Sequence, residues 1–407
     1  MDATSAGAGA ERRSRLIRAR YAVAAVFCVH GAVTGNFASR IPWIQDHASV
    51  GAGGLGIALA FPAIGASVAM TMAGSIQHRL GGRRAMRGLL VLWTLALVPT
   101  ALAPNIYALC AALFVYGCTA GMSDVVMNAI GVETEDRLGR SIMSSLHGMW
   151  SAGLLLGSAA GTVAAHADLD ARVQFAAASV VLTVSGLVFA GWVLDTRGGP
   201  DEHPPPHFAL PPKTAWLIGA VGFCAVFAEG ASLDWSAVYL RDVLDGSPAV
   251  AAASTTGFAL TMAVARLAGD RVIDRFGAVR TVRAGGFVAT AGGVMIVTAP
   301  HAALAMAGFA LLGLGVAVVV PLAFAAAGRS GPNAGQAIAG VATVTYTSGL
   351  IAPSAIGAIA DATSLVVSFC LVTGLACVLT VTAGVLRTPS RAVTAATARE
   401  SEAGAGR

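Results

Sequence analysis

Carboxylates inside long apolar runs come first, because a charge withdrawn from water needs a reason to be there. Three of the 21 Asp and Glu residues lie well inside such runs: Asp124, Glu229 and Asp234. A charge at the centre of a bilayer costs about 2.5–3.5 kcal/mol even on the mildest scale, so an intramembrane carboxylate is a functional candidate by default. Glu229 sits near the middle of the run from Trp216 to Leu240. An ionised carboxylate is costly at that depth and a protonated one is not, which makes Glu229 the candidate for carrying a proton; the plainer reading is a buried, hydrogen-bonded carboxyl. Asp234 lies about 7.5 Å further along the helix and can pair with Arg241 or Arg40. Asp124 and Asn128 are four residues apart and share a helix face. They can bind solute hydroxyls or relay a proton, or simply make a local helix contact. His147 and Arg266 fall at a similar depth: His147 can pair with Asp124, and Arg266 is expected to bridge to Asp270 at i,i+4. Asn36 and Trp235 complete the polar set, with Trp235 able to stack on a sugar or other ring; Trp150 reads as packing.

This is chemistry for holding a polar solute and moving protons, not for making bonds. There is no phosphate-binding loop, nucleophile elbow or cluster with metal-ligand spacing, so neither an enzyme, a metal nor a cofactor is expected.

The elements that must position these groups are long and apolar. The 407 residues are 56% hydrophobic and only 12% charged, against about 25% charged in soluble proteins. The lipid bilayer is therefore the expected solvent. Twelve segments are long enough to span it as helices: 21–42, 53–76, 86–103, 105–131, 141–166, 172–194, 214–240, 249–270, 281–299, 301–327, 335–360 and 364–386. Alternation suited to a transmembrane barrel is absent. The six cysteines lie within these runs and read as small core residues. The net charge of +5 points to topology rather than to nucleic acid. Of 26 Lys and Arg residues, all but Arg40, Arg172, Arg241 and Arg266 fall on the side of the N-terminus, which predicts cytoplasmic termini. The first segment is expected to serve as an uncleaved anchor.

The chain also repeats. At an offset of 196 residues His78-Arg79 matches Asp274-Arg275, Gly81 matches Gly277, Arg84 matches Arg280, Gly117 matches Gly313 and Gly161 matches Gly357. Asn36-Phe37 falls opposite Asp234-Trp235 with a two-residue adjustment. The proline-rich stretch 195–213 separates the copies. The expected organisation is a cytoplasmic tail 1–20, a six-helix bundle 21–194, a cytoplasmic linker 195–213, a second bundle 214–387 and a tail 388–407. Gly153, Gly157 and Gly161 form a small-residue stripe for helix contact.

The stretch Gly74-Ser75-Ile76-Gln77-His78-Arg79-Leu80-Gly81-Gly82-Arg83-Arg84 resembles the signature loop of the major facilitator superfamily, with His78 where that family has aspartate. The second copy, Gly269 to Gly277, keeps the aspartate as Asp274. The resemblance implies an all-α membrane fold of twelve helices in two parallel six-helix repeats, rocking to expose a central site to each side in turn. It implies a cytoplasmic gate at Gly74, Arg79, Gly81, Arg84, Asp274, Arg275, Gly277 and Arg280. Gly121 to Asn128, His147-Gly148, Ala228-Glu229-Gly230 and Asp234-Trp235 are similar to a bacterial branch related to the fucose–proton symporter, although the first segment here offers His30 and Asn36 in place of that symporter's carboxylate. The implied function is proton-coupled uptake of a small polar solute across a bacterial inner membrane. Efflux by proton antiport and a non-transporting receptor or scaffold are the alternatives.

Overall fold

A computed structural model describes residues 3–139, 142–195, 213–327 and 334–386. The interior of the expected linker and the C-terminal tail lie outside the described residues.

Fifteen α-helices follow one another along the chain. The first half holds α1 (Ala3–Ser39), α2 (Ile41–His47), α3 (Ala52–Leu80), α4 (Gly82–Leu95), α5 (Leu97–Leu102), α6 (Ile106–Leu138), α7 (Met143–His166) and α8 (Ala171–Ala190). The second holds α9 (Lys213–Asp242), α10 (Pro248–Phe276), α11 (Ala278–Val297), α12 (Ala302–Val316), α13 (Val319–Ala327), α14 (Ala334–Ala362) and α15 (Leu365–Thr382), closed by a 3-10 turn Ala383–Leu386.

Helices stand at all twelve expected positions. Ten stretches are long and apolar enough to cross a membrane. The ninth position, α11, carries Arg280 and Arg283 in its opening turns, and the eleventh, α14, is rich in Gly, Ser and Thr; both are too polar to join the ten. Residues 3–20 are helical and continuous with the first span: α1 runs unbroken from Ala3. The third and tenth spans are each broken, between α4 and α5 and between α12 and α13. Pro99 and Pro321 stand just after the breaks; each lacks the N–H that would bond the carbonyl four residues back, at Leu95 and Ala317.

The two halves pack by the same scheme. In the first, α1 lies on α7, α3 on α6 and α4 on α8; in the second, α9 lies on α14, α10 on α12 and α11 on α15. Matched glycines make matched contacts. A Cβ on Gly117 would strike the Pro62 carbonyl, and one on Gly313 would meet the Phe258 ring and carbonyl, 196 residues further on in both partners. Gly81 and Gly277 both turn the chain at positive φ, 78° and 79°, between consecutive helices. The stripe Gly153, Gly157 and Gly161 is a packing seam: side chains there would drive into Cys28, Ala32 and Ser39 of α1.

Arg40, Arg172 and Arg241 collect at the end of the bundle away from the N-terminus. There the halves are joined. Arg241 at the end of α9 donates to the Pro42 carbonyl (2.6 Å) and Gln45 Oε1 (2.7 Å) and pairs with Asp46 (2.9 Å), all on α2. Gly56 of α3 touches Pro353 and Gly357 of α14, and Thr162 bonds Thr256 at 2.9 Å. At the other end Gly74, Arg79, Arg84, Asp274, Arg275, Gly277 and Arg280 are exposed, and no ion pair among the described residues joins the two gate loops. The conformation is closed distally. The cysteines are unbridged, and only Cys224 is fully buried; Cys370 and Cys377 are exposed on an outer face.

Candidate functional site

Glu229 and Arg266 meet in the middle of the fold. Arg266 Nη2 donates to both Glu229 oxygens, at 3.0 and 3.2 Å, joining α10 to α9. The expected bridge to Asp270 falls on a side chain outside the described residues. A guanidinium presents its donors in a planar fork that suits a carboxylate. Arg266 Nη1 reaches Ser151 Oγ of α7 at 3.2 Å, across the boundary between halves. Its Nε points to the Ala317 carbonyl at 3.4 Å. That carbonyl is the one Pro321 leaves without an in-helix partner, so the break between α12 and α13 supplies an acceptor for the cation. One arginine thus ties together α7, α9, α10 and the α12–α13 break. The ion pair is well sheltered, with side chains 21% and 16% exposed.

A second cluster lies alongside, on α1, α4, α6 and α7. His30 of α1 accepts from Trp150 Nε1 at Nδ1 (3.1 Å). An indole N–H can only donate, so Nδ1 carries no proton and Nε2 does. Nε2 faces the Ala120 carbonyl at 3.4 Å, one turn before Asp124, and the His30 carbonyl faces Trp93 Nε1. The imidazole stacks on the Trp93 ring, with centroids 4.9 Å apart. Asp124 lies within electrostatic reach of both His30 and His147, and Arg266 within reach of His147 from the other half. His147 itself packs edge-on against Phe27 and is not hydrogen-bonded to Asp124.

The remaining expected site residues separate. Asn128 Nδ2 donates to the Asp124 backbone carbonyl at 2.9 Å, the plain local contact. Asn36 is buried; it donates to the Ala32 carbonyl and accepts from Gln174 of α8 at 3.0 Å, inside the first half. Trp235 is fully buried in the core of the second half, its Nε1 without a partner. Asp234 does not pair with Arg241, which is held by Asp46 and Asp242, or with Arg40, which donates to the Leu169 carbonyl. It faces Tyr116 of α6 closely enough to interact electrostatically. Sequence reasoning noted His30 without its partners and passed over Ser151 and the full reach of Arg266. The proline at 321 was the available signal for an unpaired carbonyl, but not for who would use it.

The Major Facilitator Superfamily model matches residues 23–253 and again 215–406. An uncharacterized transporter, y4wD, of Sinorhizobium fredii is 35% identical over 376 residues, covering 92% of this chain and 99% of its own length. The membrane protein MosC of Rhizobium meliloti is 32% identical over 350 residues, 84% of each chain. Among solved structures, the nucleoside transporter NupG aligns with a TM-score of 0.73 at 10% identity, over 91% of this chain and 99% of that one. The D-xylose-proton symporter gives 0.70 at 14%, over 92% and 98%. FucP in its outward conformation gives 0.58 at 16%, over 92% and 100%. These structures share the fold. With two six-helix units, a charged centre between them, and relatives along nearly the whole length that are transporters, this chain is a multi-pass membrane transporter of the major facilitator superfamily.

Proposed function

We propose that this transporter takes up a small polar solute across a bacterial inner membrane by alternating access, in symport with protons, with its termini in the cytoplasm. The observation that carries the reading is the sheltered Glu229–Arg266 pair bonded through Ser151 to the opposite half. Paired with Arg266, Glu229 is a compensated anion. A proton arriving on Glu229 removes its charge and loosens the guanidinium, which then has Asp124 as the other carboxylate in its neighbourhood. The solute's hydroxyls bind between Asp124 and the freed donors, so proton and solute load the same cluster. Loss of the Arg266–Ser151 bond unfastens α7 from α10, which lets the halves rock. The membrane potential supplies about 2.3 kcal/mol per charge per 100 mV. The sugar and nucleoside transporters among the structural neighbours support a polar solute.

Thermal stabilisation of the purified protein by a panel of small polar solutes identifies the substrate, and proteoliposomes then report coupling. Glu229→Gln keeps the volume and fixes the neutral form. The expected result is loss of accumulation driven by a proton gradient, with counterflow exchange partly retained. Asp124→Asn is expected to weaken solute affinity as well. If Glu229→Gln still accumulates solute against a gradient with an unchanged pH profile, Glu229 is not the proton carrier.

A further inference from the structure

An arginine-lined cavity lies apart from the Glu229 cluster, at the end of the first half that carries the N-terminus. Its volume is about 730 Å³. Four arginines from three helices line it: Arg15 and Arg18 of α1, Arg83 of α4 and Arg137 of α6, with Trp192 and Leu194 of the segment after α8. Among the described residues that line it there is no carboxylate. Two of the arginines are anchored at Nε, Arg83 to the Val193 carbonyl (3.0 Å) and Arg137 to Glu133 (2.6 Å); Arg15 and Arg18 are exposed. Asp195 accepts from the Arg83 backbone N–H. Against Glu133 and Asp195 the cleft keeps an excess of positive charge. Four guanidinium groups from three helices line one cleft, and the transport cycle proposed above gives them no task.

We propose that this cleft binds a phosphate-bearing anion, and that the source of the phosphate is the headgroup of an anionic phospholipid. Guanidinium groups take phosphate oxygens in bidentate fashion, and several around one phosphate relieve their mutual repulsion. The surroundings favour a lipid over a soluble anion. Trp192 is 53% exposed beside the cleft, and tryptophan gathers at the boundary between hydrocarbon and headgroups. Leading up to it on α8, Val180, Val181, Val184 and Val188 are all exposed on one face, a track for an acyl chain. Basic pockets at the ends of membrane helices suit anionic headgroups for this reason.

The test is native mass spectrometry of the full-length protein in detergent, titrated with phosphatidylglycerol or with phosphatidylcholine. Phosphatidylglycerol should bind preferentially, and Arg15→Gln/Arg18→Gln should weaken it roughly ten- to thirty-fold, at about 1 kcal/mol per basic group. Arg271→Gln/Arg283→Gln, the same charge change on the other half, should leave it within twofold. Thermal melts of each variant establish that the fold is kept, and Arg137→Gln provides a single-site repeat of the measurement. Displacement of phosphatidylglycerol by millimolar inorganic phosphate would keep the phosphate site and overturn the lipid as its source. Equal binding of both lipids, or equal losses in the two double variants, would overturn the site itself.

Discussion

Arg266 is the side chain on which most of the centre depends. It meets a carboxylate, a hydroxyl and a proline-freed carbonyl, on three elements besides its own. Removing one member of a sheltered ion pair costs more than the pair is worth, because the survivor is left charged without compensation. Arg266→Ala is therefore expected to destabilise the protein by about 3 kcal/mol, and Glu229→Gln in the same chain to recover part of that loss. Thermal unfolding of the four-member cycle in detergent measures it. Arg266→Lys keeps the charge but cannot serve Glu229, Ser151 and Ala317 at once, so it should fall between wild type and alanine. His30 makes a similar point about tautomers. Its Nδ1 satisfies the Trp150 indole, so His30→Ala leaves a donor without an acceptor as well as a cavity.

At the scale of helices, the repeat is exact in some glycines and broken in others, and the breaks can be tested. Gly153 is pressed against the Cys28 carbonyl of α1, whereas Gly349, its counterpart in α14, has open space where a Cβ would go. Gly153→Ala is expected to push α1 off α7 and cost about 1–3 kcal/mol or more. Gly349→Ala should be neutral within about 0.5 kcal/mol or slightly stabilising, since alanine is the better helix former. Comparing their melting temperatures decides whether the seam between α1 and α7 is the tighter one. At the distal cap of α8, the Arg172 guanidinium beside Asp170 holds its carboxyl down at about 2. That contact is fully present above the ordinary carboxylate pKa near 3.9 and is lost as pH falls toward 2. A transport profile changing near neutral pH therefore does not originate there.

At the distal end the two halves of the molecule are fastened by a set of polar contacts. Arg241 reaches from the second half to three groups on α2. Arg241→Ala should release the distal closure by about 1–2 kcal/mol, a five- to thirty-fold shift in population. Spin labels placed across α2 and the end of α9 would report the widening, and an unchanged distance distribution would mean that the small-residue contact of α3 with α14 suffices. Asp274→Asn should act in the opposite sense. If Asp274, Arg275 and Arg280 fasten the loops in the other state, removing that charge favours the conformation seen here, and labels on 79 and 275 should show fewer short distances. A reporter enzyme fused at Pro205 that works only on the cytoplasmic side should be active, given where the arginines lie.

Periodicity, apolar length and the placement of basic residues were enough to read twelve helices, a two-fold repeat and the superfamily, because these follow from local sequence meeting a bilayer. The same logic picked out Glu229 and Asp124, since an intramembrane carboxylate is conspicuous wherever it falls. Partners were a different matter. Arg266 looked paired to Asp270 because only neighbours on one helix are visible along a chain; the carboxylate the structure sets against it is 37 residues away on another helix. Asn36 and Trp235 read as pathway residues by register with the repeat, yet their side chains turn into the cores of separate halves. His30 stood out as a polar residue of the first segment but its partner did not, and Ser151 carried no signal of its own until packing brought Arg266 to it. Sequence determined which groups would be buried and on which elements; the crossing of those elements decided which charges would meet, because an ion pair is set by distance in space and not along the chain.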